Sequence, residues 1–139
     1  MLGGGNPVSS SNPVGTSSTL NYIGNHVYGY SGTFPATTSA QTMMEFDTFD
    51  NTYIVGEFVL CGSLQFATGS NGRISTFQLS INGEVVAVVK NDPQAGDYTG
   101  DTKLPILLEP GSKIKLEVIS NDASADDVST VLFTGRTYQ

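Results

Sequence analysis

Asn82-Gly83, set between two β-rich runs, limits the possible folds of this chain more than any other feature. The runs are Gly72-Arg73-Ile74-Ser75-Thr76-Phe77-Gln78-Leu79-Ser80-Ile81 and Glu84-Val85-Val86-Ala87-Val88-Val89-Lys90. A two-residue type I′ turn needs positive φ at both central positions, which Asn and Gly tolerate best, so the pair marks a hairpin. With that loop, Ile81 faces Glu84, Leu79 faces Val86 and Phe77 faces Val88, all on one side of the ribbon. The other side carries Ser80 with Val85, Gln78 with Ala87 and Thr76 with Val89. The first side is expected to be the core face. The second, half polar, meets solvent or a neighbouring subunit.

The rest of the chain after residue 20 reads as more strands. Leu20 to Ile23 and His26 to Ser31 form a strand pair or one bulged strand, with Gly24 and Gly29 at bulges or bends. Residues 32 to 40 are rich in turn formers. Gln41 to Asp47 is extended with Met44 and Phe46 on one face, and Phe49, Asp50 and Asn51 mark a turn. Thr52 to Leu60 is apolar at both parities apart from Glu57, which suits a strand inside a sandwich or under a subunit contact. Ser63 to Ala67 alternates, and residues 68 to 72 form a loop. Pro105 places Lys103 to Leu108 at a sheet edge or strand start, because proline cannot donate to the ladder. Glu109-Pro110-Gly111-Ser112 fits a type II turn. In Lys113 to Ile119, Ile114, Leu116 and Val118 should point inward, with Lys113, Lys115 and Glu117 outward. Val128 to Arg136 closes the chain. With no 3.6-residue period anywhere in this stretch, the expectation is an all-β jelly-roll or Greek-key sandwich of about eight strands.

Residues 1 to 19 are almost wholly Gly, Ser, Thr, Asn and Pro, with an echo of Asn6-Pro7-Val8 in Asn12-Pro13-Val14. Such a segment buries too little apolar surface to offset its ordering entropy, so it reads as an arm that is flexible alone, either a solvated tail or a segment that becomes ordered by lying across a neighbouring subunit. The start lacks the basic and apolar regions of a secretory signal, and the expectation is that the mature chain begins here. At 139 residues the chain suits one domain over residues 20 to 139 that needs no disulfide or metal. Cys61, the single cysteine, sits among Phe58, Val59 and Leu60 and is expected to be a buried small hydrophobe. The net charge of −7 argues against nucleic acid and anionic membrane surfaces, which bind through clustered Lys and Arg.

Catalysis finds little support. His26 is the only histidine, no G-x-S-x-G elbow or phosphate-cradling glycine loop occurs, and a lone imidazole completes no zinc site. The aspartates of residues 91 to 101 match no EF-hand spacing, and the same holds for Asn121, Asp122, Asp126 and Asp127. No catalytic residue, cofactor or metal ligand is assigned. The tyrosines Tyr22, Tyr28, Tyr30, Tyr53, Tyr98 and Tyr138, where exposed, could stack on sugars, although the absence of Trp weakens such a platform.

Phe77 to Val86, followed by Leu107 to Val118, resembles the C-terminal half of compact jelly rolls of the tumour-necrosis-factor and complement globular-head type. It is also similar to small virion proteins of tailed bacteriophages that decorate or cement capsids. With the Gly-Ser-Asn-Pro arm and the low lysine content, the chain resembles the phage group most, over residues 20 to 139. The resemblance implies a non-enzymatic protein on the capsid surface, made in the host cytoplasm. It also implies a homo-oligomer, a trimer first, and a major capsid protein as partner. The residues expected at partner contacts are Asn6, Pro7, Val8, Asn12, Pro13 and Val14 of the arm, with Tyr53 and Val55 of the apolar strand. A carbohydrate- or receptor-binding module of a spike or fibre is the second reading.

Overall fold

The computed structural model describes residues 20–65, 74–91 and 102–139, and side chains within these except those of 62–65, 91 and 124–127. Ten strands follow in order: β1 (Asn21–Ile23), β2 (His26–Tyr30), β3 (Phe34–Ala36), β4 (Gln41–Asp47), β5 (Tyr53–Gln65), β6 (Ser75–Ile81), β7 (Glu84–Asn91), β8 (Thr102–Leu108), β9 (Lys113–Ser120) and β10 (Ser124–Tyr138). Among the described residues there is no helix, and so none long and apolar enough to cross a membrane. Every strand pairing described is antiparallel.

The fold is one long ribbon rolled up on itself. Asn82 (φ 54°) and Gly83 (φ 86°) form its tip, with the two positive φ values that a type I′ turn requires. Moving outward from the tip, partners nest symmetrically: Ile81 with Glu84, Leu60 with Thr102, Phe46 with Ile114, Tyr30 with Leu132, His26 with Arg136. Rolling brings β10 against β5 and β6 against β9. This closes a larger sheet ordered β1-β2-β10-β5-β8, with β3 also on β10, and a smaller sheet ordered β4-β9-β6-β7. The result is a jelly-roll β-sandwich.

Between the sheets lie Met43, Met44, Ile54, Phe58, Leu60, Phe77, Leu79, Leu108, Ile114, Leu116, Val131 and Phe133, all buried. Phe133 joins the two layers, its ring centroid 4.7 Å from that of Phe58 in its own sheet and 5.6 Å from that of Phe46 across the core. Its ring fits because Gly56 leaves room: a Cβ there would lie 2.6 Å from Phe133 Cζ and 2.6 Å from the Thr134 carbonyl oxygen. At one end of the sandwich the β4–β5 and β8–β9 connections are laced together by buried Thr48. Its hydroxyl donates to the Glu109 carbonyl at 2.7 Å and accepts from the Ser112 N–H at 2.7 Å.

β9 alternates as expected, with Ile114, Leu116 and Val118 buried. Pro105 sits on β8, an edge strand, and Gly111 has φ 68°, as its place in the Glu109–Ser112 turn requires. Several expectations need correction. The hairpin register holds only at the tip. Ser80 pairs Val85, but Leu79 pairs Ala87 and Phe77 pairs Val89, because Val86 is an extra residue at a bulge. Ala87 and Val89 therefore pack on the core, and Val85, Val86 and Val88 are exposed. The first strands are a pair joined at a turn containing Gly24 (φ 60°). Gly29 lies in β2 opposite Phe133 without a register shift. Residues 34–36 of the expected loop form β3, where they add to the edge of β10. β5 runs 13 residues, joining the expected runs Thr52 to Leu60 and Ser63 onward into one strand whose pairing with β10 shifts register between Cys61 and Leu64, and β10 is 15 residues long. Cys61 is half-buried, not buried, because it lies on the outward parity of β5 opposite Thr130.

Candidate functional site: the outer face of the larger sheet

A two-layer sandwich covers only one face of each sheet. On β5 the inward parity is Ile54, Phe58 and Leu60, each 0% exposed, whereas the outward parity begins with Tyr53 and Val55, exposed at 44% and 50%. The apolar residues that appear on both parities in the sequence therefore have an inner set that is buried and an outer set that is not. Across the strands, partner residues extend this outer set into rows. One row runs Ile23, His26, Arg136, Val55, Leu107, and the next runs Asn21, Tyr28, Thr134, Glu57, Pro105. A third contains Tyr30, Leu132, Val59 and Lys103, and Tyr138 pairs with Tyr53 beyond the first row. Ile23, Tyr30, Leu107 and Tyr138 are all more than half exposed.

Single exposed apolar residues are ordinary on proteins, but this face carries an exposed apolar or aromatic side chain on each of its five strands, interspersed with polar ones, which marks it as a candidate interaction surface. Its aromatic members suit this role, since tyrosine offers large area with a polar tip. Tyr28 and Tyr30 lie two residues apart on β2 with ring centroids 5.6 Å apart and planes tilted by 48°. Tyr22 points the other way and stacks on Phe49 at 5.4 Å, and burial raises the pKa of its phenol.

The charges on this face differ from those of the chain as a whole. Among the described side chains it carries Lys103 and Arg136 against one carboxylate, Glu57, although the full chain has 13 acidic and 6 basic residues. On the outward parity of the smaller sheet Glu45, Asp47 and Glu117 are matched by Lys90, Lys113 and Lys115. Glu57 is half-buried and Arg136 exposed, on adjacent strands at diagonal positions. Among the described residues the ion pairs are Lys113 with Asp47 at 3.7 Å and Lys115 with Glu117 at 3.5 Å, and neither Glu57 nor Arg136 joins one.

Of the residues expected at partner contacts, Tyr53 and Val55 lie together on this face. Asn6, Pro7, Val8, Asn12, Pro13 and Val14 fall outside the described residues, as does Tyr98 of the sugar-stacking set and all but Asn91 of the 91–101 stretch. Sequence reasoning did not single out Leu107, Ile23 or the Glu57 and Arg136 diagonal. Leu107 was within reach, because Leu104 to Leu108 is apolar at both parities on a strand that Pro105 assigns to an edge. The diagonal depends on the register of β5 against β10, which no local signal encodes. His26 is exposed in the first row, and no group of three His, Cys, Asp or Glu side chains among the described residues could hold a metal ion.

No family model matches the sequence, and no curated protein does. Solved structures do show similar folds. One is of infectious bursal disease virus, Gx strain, 18% identical with a TM-score of 0.44, covering 80% of this chain and 32% of that one. This chain thus spans about a third of that protein's length. A second is the C-terminal domain of EclA, a sugar-binding protein, at 15% identity and a TM-score of 0.43, covering 92% of this chain and 88% of that one. A third is a family 35 carbohydrate binding module from Clostridium thermocellum, at 13% identity and a TM-score of 0.35, covering 85% and 87%. Values this low transfer no role from any of them to this chain.

Proposed function

We propose that this chain is a non-enzymatic virion structural protein of the capsid decoration or cement type, working as a homo-oligomer that holds neighbouring subunits together. The observation that carries this reading is the uncovered outer face of the larger sheet, where Tyr53, Val55, Leu107 and Tyr138 are exposed beside one another. An open sheet face spread over five strands suits protein contact better than the enclosure of a small substrate. The arm of residues 1 to 19 adds a second contact with the major capsid protein. Quantitative proteomics of purified particles should find the chain in many copies per particle. Val55→Glu should reduce its occupancy on capsids, and so should deletion of residues 1 to 19, both with the fold intact by circular dichroism. Absence from purified particles would end this reading.

A second reading rests on four tyrosines, Tyr28, Tyr30, Tyr53 and Tyr138, that lie on one sheet face with Glu57 and Arg136. Sugar rings stack on aromatic faces while charged and polar groups fix their hydroxyls, so the same surface fits a glycan-binding module of a spike or fibre. A glycan array gives the decision. Saturable binding lost in Tyr30→Ala and Tyr53→Ala would favour it, and an array without hits would remove it.

A further inference from the structure

The geometry points to a second copy of this chain as the occupant of the larger sheet's outer face, docked face to face about a two-fold axis that pairs Glu57 of each copy with Arg136 of the other. This rests on the reading of the face as a subunit contact and names the partner. Two observations select a second copy. The first is charge. A chain of net charge −7 repels its own copies, and this face, with Lys103 and Arg136 against the single carboxylate Glu57 among the described side chains, adds no net negative charge to that repulsion.

The second is self-complementarity. Glu57 and Arg136 stand at diagonal positions on neighbouring strands, Glu57 opposite Thr134 and Arg136 opposite Val55. Diagonal Cβ atoms in such a pair are about 7 Å apart, and among the described residues neither charge has an ion-pair partner within its own chain. In an isologous contact, if residue i meets residue j then j meets i. A two-fold axis lying in the plane between two such faces, and bisecting the line from Glu57 to Arg136 at right angles, sets each Glu57 over the partner copy's arginine. The charges left single in one chain become two pairs in the dimer. The same axis passes close to Val55 and Thr134, the other diagonal, so each of these meets its own counterpart and Val55 forms an apolar centre. A Tyr53 and a Tyr138 lie next to it in each copy. This is the arrangement of a specific interface, an apolar centre with charges that fix register.

Sedimentation equilibrium of the full chain through the micromolar range tests this directly. The wild type should fit a monomer–dimer equilibrium. Glu57→Arg and Arg136→Glu, each alone, should weaken pairing by at least roughly tenfold, since each sets two like charges against two others. Mixed in equal amounts, the two variants should recover wild-type affinity as a heterodimer. The arginine introduced in one variant then meets the glutamate introduced in the other, and the native Glu57 and Arg136 pair forms at the second contact. That recovery also shows that both variants are folded. A monomeric wild type, a three-copy mass, or single variants that still dimerise would overturn the pairing. A monomeric chain that is nonetheless found in purified particles would overturn it and leave the virion reading standing.

Discussion

Individual residues hold this sandwich together at points where the space or the hydrogen bonding admits few alternatives. Gly56 is one, because the Phe133 ring and the Thr134 carbonyl occupy the position its Cβ would take. Gly56→Ala should destabilise the fold by about 1–3 kcal/mol, the usual effect of overpacking a core. Its urea midpoint should fall with the slope unchanged. Thr48 is another. Thr48→Val keeps the shape and removes the hydroxyl, leaving the buried Ser112 N–H without its acceptor. A loss of about 1–3 kcal/mol is expected, read by the same denaturation. Thr48→Ser should restore most of it, since the hydroxyl returns.

Strands show which parts of this architecture the sequence encodes locally. The Asn82-Gly83 tip, the alternation of Ile114, Leu116 and Val118 and the edge position of Pro105 are each set by one or two residues whose backbone or polarity permits little else. Val85 to Val89 is different. All five residues are apolar, so either parity can face the core and nothing in the run marks Val86 as the extra one. The same ambiguity hides which side of β5 is buried, and hence the candidate face itself. The bulge has a use at this scale. β7 is an edge strand with exposed valines, and a bulge twists such an edge away from pairing with another chain. Deleting Val86 leaves Val85 opposite Ser80 and Ala87 opposite Leu79, so stability should change by less than about 1 kcal/mol. The regularised edge should aggregate faster, as static light scattering would show. Deleting Gln78 from β6 instead should unfold the smaller sheet, since it shifts Phe77 off the core face.

Taken whole, the molecule depends on its last strand. β10 lies between β5 on one side and β2 and β3 on the other, and it supplies Val131 and Phe133 to the core. Removal of residues 128–139 should therefore abolish cooperative unfolding, whereas removal of residues 1–19 should leave the transition in place; calorimetry of the two truncated chains distinguishes them. The sandwich class and its jelly-roll form were legible because the turn signals and β-rich runs recur at close spacing. The long-range pairing of β10 with β5, and with it the Glu57 and Arg136 diagonal, was not, because no residue within either strand names its partner.

The nested ribbon also has a consequence for biosynthesis. Translation delivers β10 to the solvent after every strand it pairs with, so β2, β3 and β5 leave the ribosome with their inner apolar residues still waiting for the strand that joins them. The body can close only once synthesis has passed Tyr138. Until then the nascent chain depends on whatever shields exposed strands in the cell.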